Sequence, residues 1–272
     1  MSLPPDAFVF SSDAMGYAEN SGLRFHIGQC EQRPRPGSAV GLTYCQAEKL
    51  ANPAEVDYCN ANIGRFLRTQ LSGCQNQALV SATCGVVGEL HDNIVSHSHG
   101  CGFSAAQYYR SSKRVIQIAM ADCGRGLNGS VRQSGQIMSD REAIDWCLKR
   151  GNTTAKSITP APDDIFGPQR LPDDSVSNPY PRGVNVHRSD NHHMGEGLYR
   201  LTELIANTGG ETWIWSGSAQ ILCTSNSRLP ISSDVQWQGT AIGIEIPVAA
   251  FERCEAAQNV DEYESLAKRL KL

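Results

Sequence analysis

The chain has 272 residues, of which 40% are hydrophobic and 19% are charged, and its formal net charge at pH 7 is −4. A chain of this length can bury a substantial core as one large domain or two small ones. The basic residues are scattered, which argues against a nucleic-acid-binding surface. No apolar run approaches the length of a bilayer span, and the N-terminus has no signal-peptide pattern.

The ten cysteines contain no C-x-x-C pair and no regular framework. In a chain of this size without a secretion signal, this usage indicates reduced and mostly buried thiols, so we expect a cytoplasmic protein. We expect Cys84, Cys101 and Cys123 to be packing residues rather than nucleophiles.

Apolar spacing and turn residues predict a mixture of helices and strands. The predicted order is two short strands, two helices, a buried strand, a helix, a long loop, a helix, three strands and a final amphipathic helix. These segments are FVFSS, GLRFHIG, AEVDYCNANIGRFLRTQLSG, Leu79–His97, KRVIQIAMADCG, DREAIDWCLKRG, 152–191, GEGLYRLTELIANTGG, ETWIWSG, AQILCTS, TAIGIEIPV and VDEYESLAKRLKL. The late antiparallel strands indicate an α/β sandwich with one mixed sheet.

The second predicted helix carries the first candidate site, in the sequence GELHDNIVSHSHGCG. Glu89, Asn93 and His97 stand at i, i+4 and i+8, which aligns a carboxylate, an amide and an imidazole on one helix face. A carboxylate can take a proton from water, and an amide oxygen is a suitable ligand for Mg²⁺. A solvated polar face gives the same pattern, and this segment alone favours that simpler interpretation.

Zinc binding is an alternative for the same segment, because His97, His99 and Cys101 alternate and His192-His193 could add ligands. Alternating ligands suit an extended segment, however, whereas His97 ends a predicted helix. The segment also lacks the HxHxDH arrangement of metallo-β-lactamase-type hydrolases, so we disfavour zinc. We expect His91, Asp92 and His99 at the surface.

The second candidate site follows the buried strand IAMAD. Asp122 ends this strand, and Gly124 and Gly126 permit a tight turn and close approach to a ligand. With Gly129 these glycines also fit the dinucleotide fingerprint, which must open a helix at once. The sequence NGSVRQSGQ that follows is polar without apolar periodicity, and no regular β-α-β alternation follows, so we disfavour a Rossmann fold.

Two weaker signals come later in the chain. Gly195, Gly197 and Leu198 form a G-x-G-L motif where a helix begins, and the backbone N–H groups of a helix N-terminus favour phosphate. Gly239 and Thr240 form a Gly-Thr pair that opens a late strand.

The chain combines E-x3-N-x3-H on a helix, D-x-G-x-G after a strand, G-x-G-L at a helix start after a long loop, and G-T on a late strand. In this order the motifs resemble the histidine-kinase-like ATPase family. That family includes type II topoisomerase ATPase subunits, heat-shock chaperones, mismatch-repair ATPases, sensor histidine kinases and anti-sigma serine kinases. The resemblance covers about residues 79–250. It implies the Bergerat ATP-binding fold, a two-layer sandwich with a mixed, largely antiparallel sheet covered on one face by helices.

The resemblance also implies roles for individual residues, with ATP and Mg²⁺ as cofactors. Glu89 would be the general base, Asn93 would bind Mg²⁺, and Asp122 would accept a hydrogen bond from the adenine amino group. The glycines would approach the base and the phosphates, Thr240 would support the adenine end, and His97 would contact a phosphate. The implied nucleotide-binding set is Asn93, His97, Asp122, Gly124, Gly126, Gly195, Gly197, Leu198 and Thr240.

The domain organisation implied is an ATP-binding domain over residues 76–250, with a nucleotide-responsive lid at about 128–192. Residues 1–75 would form a partner or dimer surface or a part of the same domain, and residues 251–272 a C-terminal helix. We expect a slow Mg²⁺-dependent ATPase. The alternatives are a serine or histidine kinase acting on a protein partner, and an ATP-gated interaction module that does not hydrolyse ATP.

Overall fold

The computed structural model describes residues 23, 43–97, 100–110, 114–152, 197–232 and 236–253. Helices and strands alternate irregularly along this part of the chain. In chain order they are β1 (Tyr44–Leu50), α1 (Pro53–Gln70), α2 (Gln77–His97), β2 (Gly102–Tyr109), β3 (Val115–Asp122), α3 (Gly126–Gln133), α4 (Asp140–Cys147), α5 (Gly197–Thr208), β4 (Glu211–Gly217), β5 (Ala219–Thr224), β6 (Arg228–Ile231), β7 (Trp237–Pro247) and α6 (Val248–Glu252).

The seven strands of the described residues form one sheet in the order β1-β2-β3-β7-β4-β5-β6. Every pairing between neighbouring strands in it is antiparallel. The expected combination of helices with a largely antiparallel sheet is therefore confirmed. The expected mixed sheet is wrong for these strands. The late strand β4 pairs antiparallel with both β5 and β7, and β7 pairs antiparallel with the earlier strand β3.

The core lies between the helices and one face of the sheet. Successive strand residues point to opposite faces, so alternate residues of β3 and β7 are buried together. Ile116 stands opposite Ile246, and Ile118 stands opposite Ile244, and all four are at most 1% exposed. Burying a side chain of this size contributes roughly 1.5–3 kcal/mol. This isoleucine ladder joins the two central strands under the helices.

Helix α1 shows why the N-terminal part of the described chain belongs to the same domain. Asn52 caps the helix by accepting a hydrogen bond from the Glu55 N–H at 3.0 Å, and Pro53 fits the first turn, where no N–H is needed. The helix then packs against β1 and α2. Residues 43–75 thus share the sheet and core of residues 76–250. The buried residues of α1 are Val56, Cys59, Ile63, Gly64, Phe66 and Leu67.

Several predicted elements agree with the structure, and others were missed. The helices at α1, α2, α4 and α5 and the strands at β3, β4, β5 and β7 are confirmed. Sequence patterns missed β1, β2, β6, α3 and α6. Apart from Leu23, the two predicted N-terminal strands lie outside the described residues. The predicted C-terminal amphipathic helix also lies outside them. Among the described helices, none is both long enough and apolar enough to cross a membrane.

Helix α3 begins at Gly126, directly after the Asp122 turn. The expected absence of a helix after this turn is therefore wrong. The Rossmann fold is excluded on other grounds, because β3 pairs antiparallel with both of its neighbours, whereas that fold needs parallel strands there.

Helices α3 and α4 occupy the first part of the expected lid at about 128–192. Ser139 and Glu142 cap α4 through reciprocal hydrogen bonds, and Ile144 of α4 is fully buried in the main core. This part of the segment is thus packed against the sheet. The remainder, beyond Asn152, lies outside the described residues.

A buried polar network joins α1, α2 and β2 and includes a histidine that we expected at the surface. His91 is 0% exposed; its Nδ1 lies 2.6 Å from Asn60 Oδ1 and its Nε2 lies 2.8 Å from Ser104 Oγ. The surface expectation is wrong because His91 points from α2 towards α1 and the sheet. Burial lowers the pKa of His91 from 6.5 to about 4, so the ring is neutral inside the fold.

The pH dependence of stability tests this network. The pKa of His91 is lower in the folded than in the unfolded chain, so the unfolded chain binds the extra proton between about pH 6.5 and 4. The free energy of unfolding should therefore decrease as the pH is lowered from about 6.5 to 4, by on the order of 3 kcal/mol in total. We expect the free energy of unfolding, measured with urea at pH 7 and pH 5, to decrease less in His91→Gln than in the wild type. Parallel pH curves for the two proteins would contradict a neutral buried His91.

Candidate functional site

The predicted polar face of α2 meets the start of α5. A Cβ atom placed on Gly197 would lie 3.0 Å from Asn93 Nδ2 and 3.5 Å from Glu89 Oε2. Glu89 and Asn93 therefore do share one face of α2, and the glycine lets α5 approach that face closely. The first N–H groups of α5 have no partner within their own helix. The contact thus gathers a carboxylate, an amide and a helix N-terminus.

Arg200, which lies one turn further along α5, was not among the predicted site residues. Its guanidinium donates to Glu89 Oε1, and both side chains are 16% exposed. Burial lowers the pKa of Arg200 and the nearby Glu203 opposes this shift, but a guanidinium stays charged in proteins. The available signal was the spacing of Arg200 from Gly197, which puts both on one side of α5. Because the Glu89 carboxylate is engaged by Arg200, it is a weaker base while the two groups are in contact.

The second group of predicted residues surrounds the Asp122 carboxylate at the end of β3. Asp122 is 4% exposed; its Oδ1 accepts from the Gly124 N–H at 2.7 Å, and its Oδ2 accepts from the Thr240 N–H at 3.2 Å. The indole N–H of Trp237 donates to the backbone carbonyl of Asp122 at 3.0 Å. The structure therefore brings Asp122, Gly124 and Thr240 together.

Two glycines with positive φ allow this turn to close. Gly239 has φ +114°, and a Cβ atom there would collide with the carbonyl of Asp122. Gly126 has φ +69°, and its Cβ atom would lie 2.8 Å from Ser216 Oγ and 2.9 Å from the Gly239 carbonyl. The Ser216 hydroxyl donates to the same carbonyl at 3.0 Å and accepts from the Leu127 N–H at 2.9 Å. The predicted need for glycine at Gly126 is thus explained by backbone contact with β7.

Gly102 connects the two groups of residues. A Cβ atom there would lie 2.6 Å from Ile94 Cγ2 of α2, 2.7 Å from the Ala121 carbonyl and 3.4 Å from Asp122 Cβ. The absence of a side chain at this position lets α2 lie directly on the end of β3. The Glu89–Asn93 face and the Asp122 turn consequently occupy the same end of the sheet.

Other predicted site residues have different surroundings. Leu198 is 9% exposed and packs in the hydrophobic core, so its contribution is to anchor the start of α5. His97 is the last residue of α2, but its side chain and the whole of Gly195 lie outside the described residues. No group of three or more His, Cys, Asp or Glu residues that could hold a metal occurs in the described part of the chain. The histidines of the zinc alternative are outside it, so that alternative stays untested.

A separate polar cavity of about 400 Å³ lies beyond the Asp122 turn, and Glu89, Asn93 and Asp122 do not line it. Asp140 contributes a carboxylate to the lining of this cavity. It accepts hydrogen bonds from Asn128 Nδ2 at 2.7 Å and from the Ser218 N–H and hydroxyl at 2.8 Å. Burial raises the pKa of Asp140, but these hydrogen bonds outweigh it and hold the pKa below its usual value. The cavity is lined by Arg125, Asn128, Asp140, Ser216, Gly217, Gln236, Trp237, Gln238 and Gly239.

No protein-family model, curated protein or solved structure matches the chain. The resemblance to histidine-kinase-like ATPases therefore depends on the motifs and stays a prediction.

Titration of Asp122 gives a test of its buried position. Burial raises the pKa of Asp122 from 3.8 to about 6, although the N–H groups of Gly124 and Thr240 oppose the shift. The carboxyl group of Asp122 thus binds its proton more tightly in the folded than in the unfolded chain, and this difference stabilises the fold. The stabilisation is present below about pH 4 and is lost as the pH rises through 6. The expected loss is on the order of 2–3 kcal/mol. Asp122→Asn should lack it, so the stability of the wild type relative to the variant should fall between pH 4 and 7 in urea unfolding. A constant difference would contradict the raised pKa.

Proposed function

We propose that the chain is a Mg²⁺-dependent ATP-binding protein, with slow ATPase activity and a nucleotide-responsive lid. The main support is the contact of Gly197 at the N-terminus of α5 with Glu89 and Asn93 of α2, at the end of the sheet that also holds Asp122. Residues from distant parts of the sequence thus combine a phosphate-binding type of backbone with a base and a metal ligand. The order of the motifs supports the same function.

The adenine end of the proposed site is the Asp122 turn. A carboxylate is an acceptor, and it still has lone pairs available beyond the two N–H groups that it already binds. The 6-amino group of adenine is a donor, whereas guanine presents a carbonyl oxygen at that position. Pairing Asp122 with guanine would place two acceptors against each other, so the site should select adenine.

The phosphate end of the proposed site is the start of α5. The backbone N–H groups and the positive dipole end of a helix start suit phosphate oxygens. The approach of Gly197 to Asn93 brings the start of α5 next to an amide, whose oxygen is a hard ligand of the kind Mg²⁺ prefers. When bound, Mg²⁺ would neutralise phosphate charge there.

The ion pair between Glu89 and Arg200 suggests how this chain uses its base. A guanidinium fork binds phosphate as readily as carboxylate. Phosphates near Gly197 would compete for Arg200, which lies one turn away on the same helix. Transfer of Arg200 to a phosphate would free Glu89 to accept a proton from water.

The same ion pair favours a second candidate, an ATP-gated interaction module without hydrolysis, if Arg200 stays on Glu89 when nucleotide binds. Incubation with ATP labelled on the γ-phosphate separates the candidates. Released phosphate supports an ATPase, and tight binding without release supports the module. Label transferred to an added protein would support the kinase alternative.

Nucleotide selectivity tests the adenine end. We expect ATP to bind more tightly than GTP in calorimetry, and Asp122→Asn to weaken ATP binding. Loss of a hydrogen bond to a charged acceptor costs about 1.5–3 kcal/mol, or roughly ten- to a hundred-fold in affinity.

Asp140→Asn is the matched control, because Asp140 is also a hydrogen-bonded carboxylate but lines the polar cavity beyond the Asp122 turn. It should bind ATP like the wild type. Equal affinity for ATP and GTP, or a loss of binding confined to Asp140→Asn, would refute the assignment of Asp122.

Hydrolysis tests the base. Glu89→Ala should retain ATP binding but lose phosphate release, because removing a general base typically costs about 10²–10⁴-fold in rate. Glu203→Gln is the control: Glu203 lies on α5 beside Arg200 but binds the Tyr199 hydroxyl at 2.8 Å, so the rate should not change. An unchanged rate in Glu89→Ala would show that Glu89 is only the structural partner of Arg200.

A further inference from the structure

Cys101 and Cys123 lie opposite each other where β2 begins and β3 ends. The register pairs Gly102 with Asp122, so the next opposite positions are Cys101 and Cys123. The N–H of Cys123 donates to the carbonyl of Cys101 at 3.2 Å, which extends the ladder by this pair. Directly opposite residues of this kind have Cα atoms about 5.5 Å apart. Disulfides span Cα separations of about 4.4–6.8 Å, so the backbone already has a suitable spacing.

Two further observations concern this pair. The chains stay close beyond it, because a Cβ atom on Gly100 would lie 3.2 Å from the Gly124 nitrogen. Both residues are partly exposed rather than buried in the core. Burial, with smaller contributions from the nearby Cys101 and Asp122, raises the pKa of Cys123 to about 11. This disfavours the thiolate of Cys123 at neutral pH.

Although the sequence led us to expect packing residues at these two positions, we propose that Cys101 and Cys123 form a redox modification site, at which a small-molecule disulfide such as oxidised glutathione converts the two thiols into an intramolecular disulfide. This proposal is independent of nucleotide binding. It concerns the segment that carries Asp122, because a bond between these positions would tie the start of β2 to the Asp122–Gly124 turn.

The reaction is two successive thiol–disulfide exchanges. The Cys101 thiol loses its proton and attacks one sulfur of the small disulfide; a mixed disulfide forms and one small thiol leaves with a proton. The Cys123 sulfur then attacks the Cys101 sulfur of the mixed disulfide, and the second small thiol leaves with the proton of Cys123. The protein loses two electrons and two protons, and the small disulfide gains them.

Other cysteines of the described residues are less suited to this reaction. Cys45 and Cys59 are close enough for the charge of one thiol to act on the other, but they are 8% and 0% exposed. Burial raises the pKa of each to about 12, which disfavours the reactive thiolate. Cys74 is partly exposed and serves as a control.

Peptide mapping after oxidation tests the proposal. The reduced protein is incubated with oxidised glutathione at neutral pH, quenched with acid, alkylated and digested with chymotrypsin without reduction. Trypsin is unsuitable because it leaves Cys74, Cys84 and Cys101 in one peptide, whereas cleavage after Leu90 and Phe103 isolates Cys101. We expect the Cys101 and Cys123 peptides to be joined, with loss of the mass of two hydrogen atoms.

Single variants complete the test. Cys123→Ser should stop at a glutathione adduct on Cys101, and Cys101→Ser should yield no cross-link at Cys123. Cys74→Ser should form the cross-link like the wild type. Hydrogen exchange of the oxidised wild type should slow in residues 100–103 and 121–126 but not in α1. Stable glutathione adducts on both cysteines of the wild type, or a cross-link between other cysteines in its place, would overturn the proposal.

Discussion

The burial of the Asp122 carboxylate is the constraint on which much of the structure depends. A buried carboxylate needs donors to replace water, and here they are the N–H groups of Gly124 and Thr240. The donors are effective only if β7 approaches the end of β3 within backbone contact. That approach leaves no room for side chains at Gly126 and Gly239, where positive φ values are also required. The position of α3, which starts at Gly126, follows from the same contact.

Helix α2 combines three environments, because successive side chains rotate by about 100° around its axis. Leu90 and Ile94 enter the hydrophobic core. His91 points between α1 and β2 and is held neutral by burial and by two polar partners. Glu89 and Asn93 point towards α5, where Gly197 and an arginine meet them. The candidate chemistry thus lies on a helix whose other faces are firmly packed, which is how proteins hold reactive groups in position.

The sequence predicted elements with strong local patterns and missed those that depend on their neighbours. β3 and β7 carry alternating or continuous β-branched residues, and α2 and α5 carry apolar residues at helical spacing. β2, with the sequence GFSAAQYY, is built largely from small and polar residues and lacks such a pattern. α3, with the sequence GLNGSVRQ, is polar and contains glycine, but burial of Val131 stabilises it as a helix. In both elements, packing against the rest of the domain overrides weak local preference.

By itself the sequence determined which residues share a local surface. The i, i+4 spacing of Glu89 and Asn93 and the glycines after Asp122 follow from helix and turn geometry, so those parts of the candidate site could be predicted. Only the tertiary structure decided which distant groups meet them. Thr240 donates to Asp122 from 118 positions away, and Arg200 engages Glu89 from 111 positions away. Such contacts depend on how the helices and strands pack together, and that packing leaves no periodic trace in the sequence around either partner.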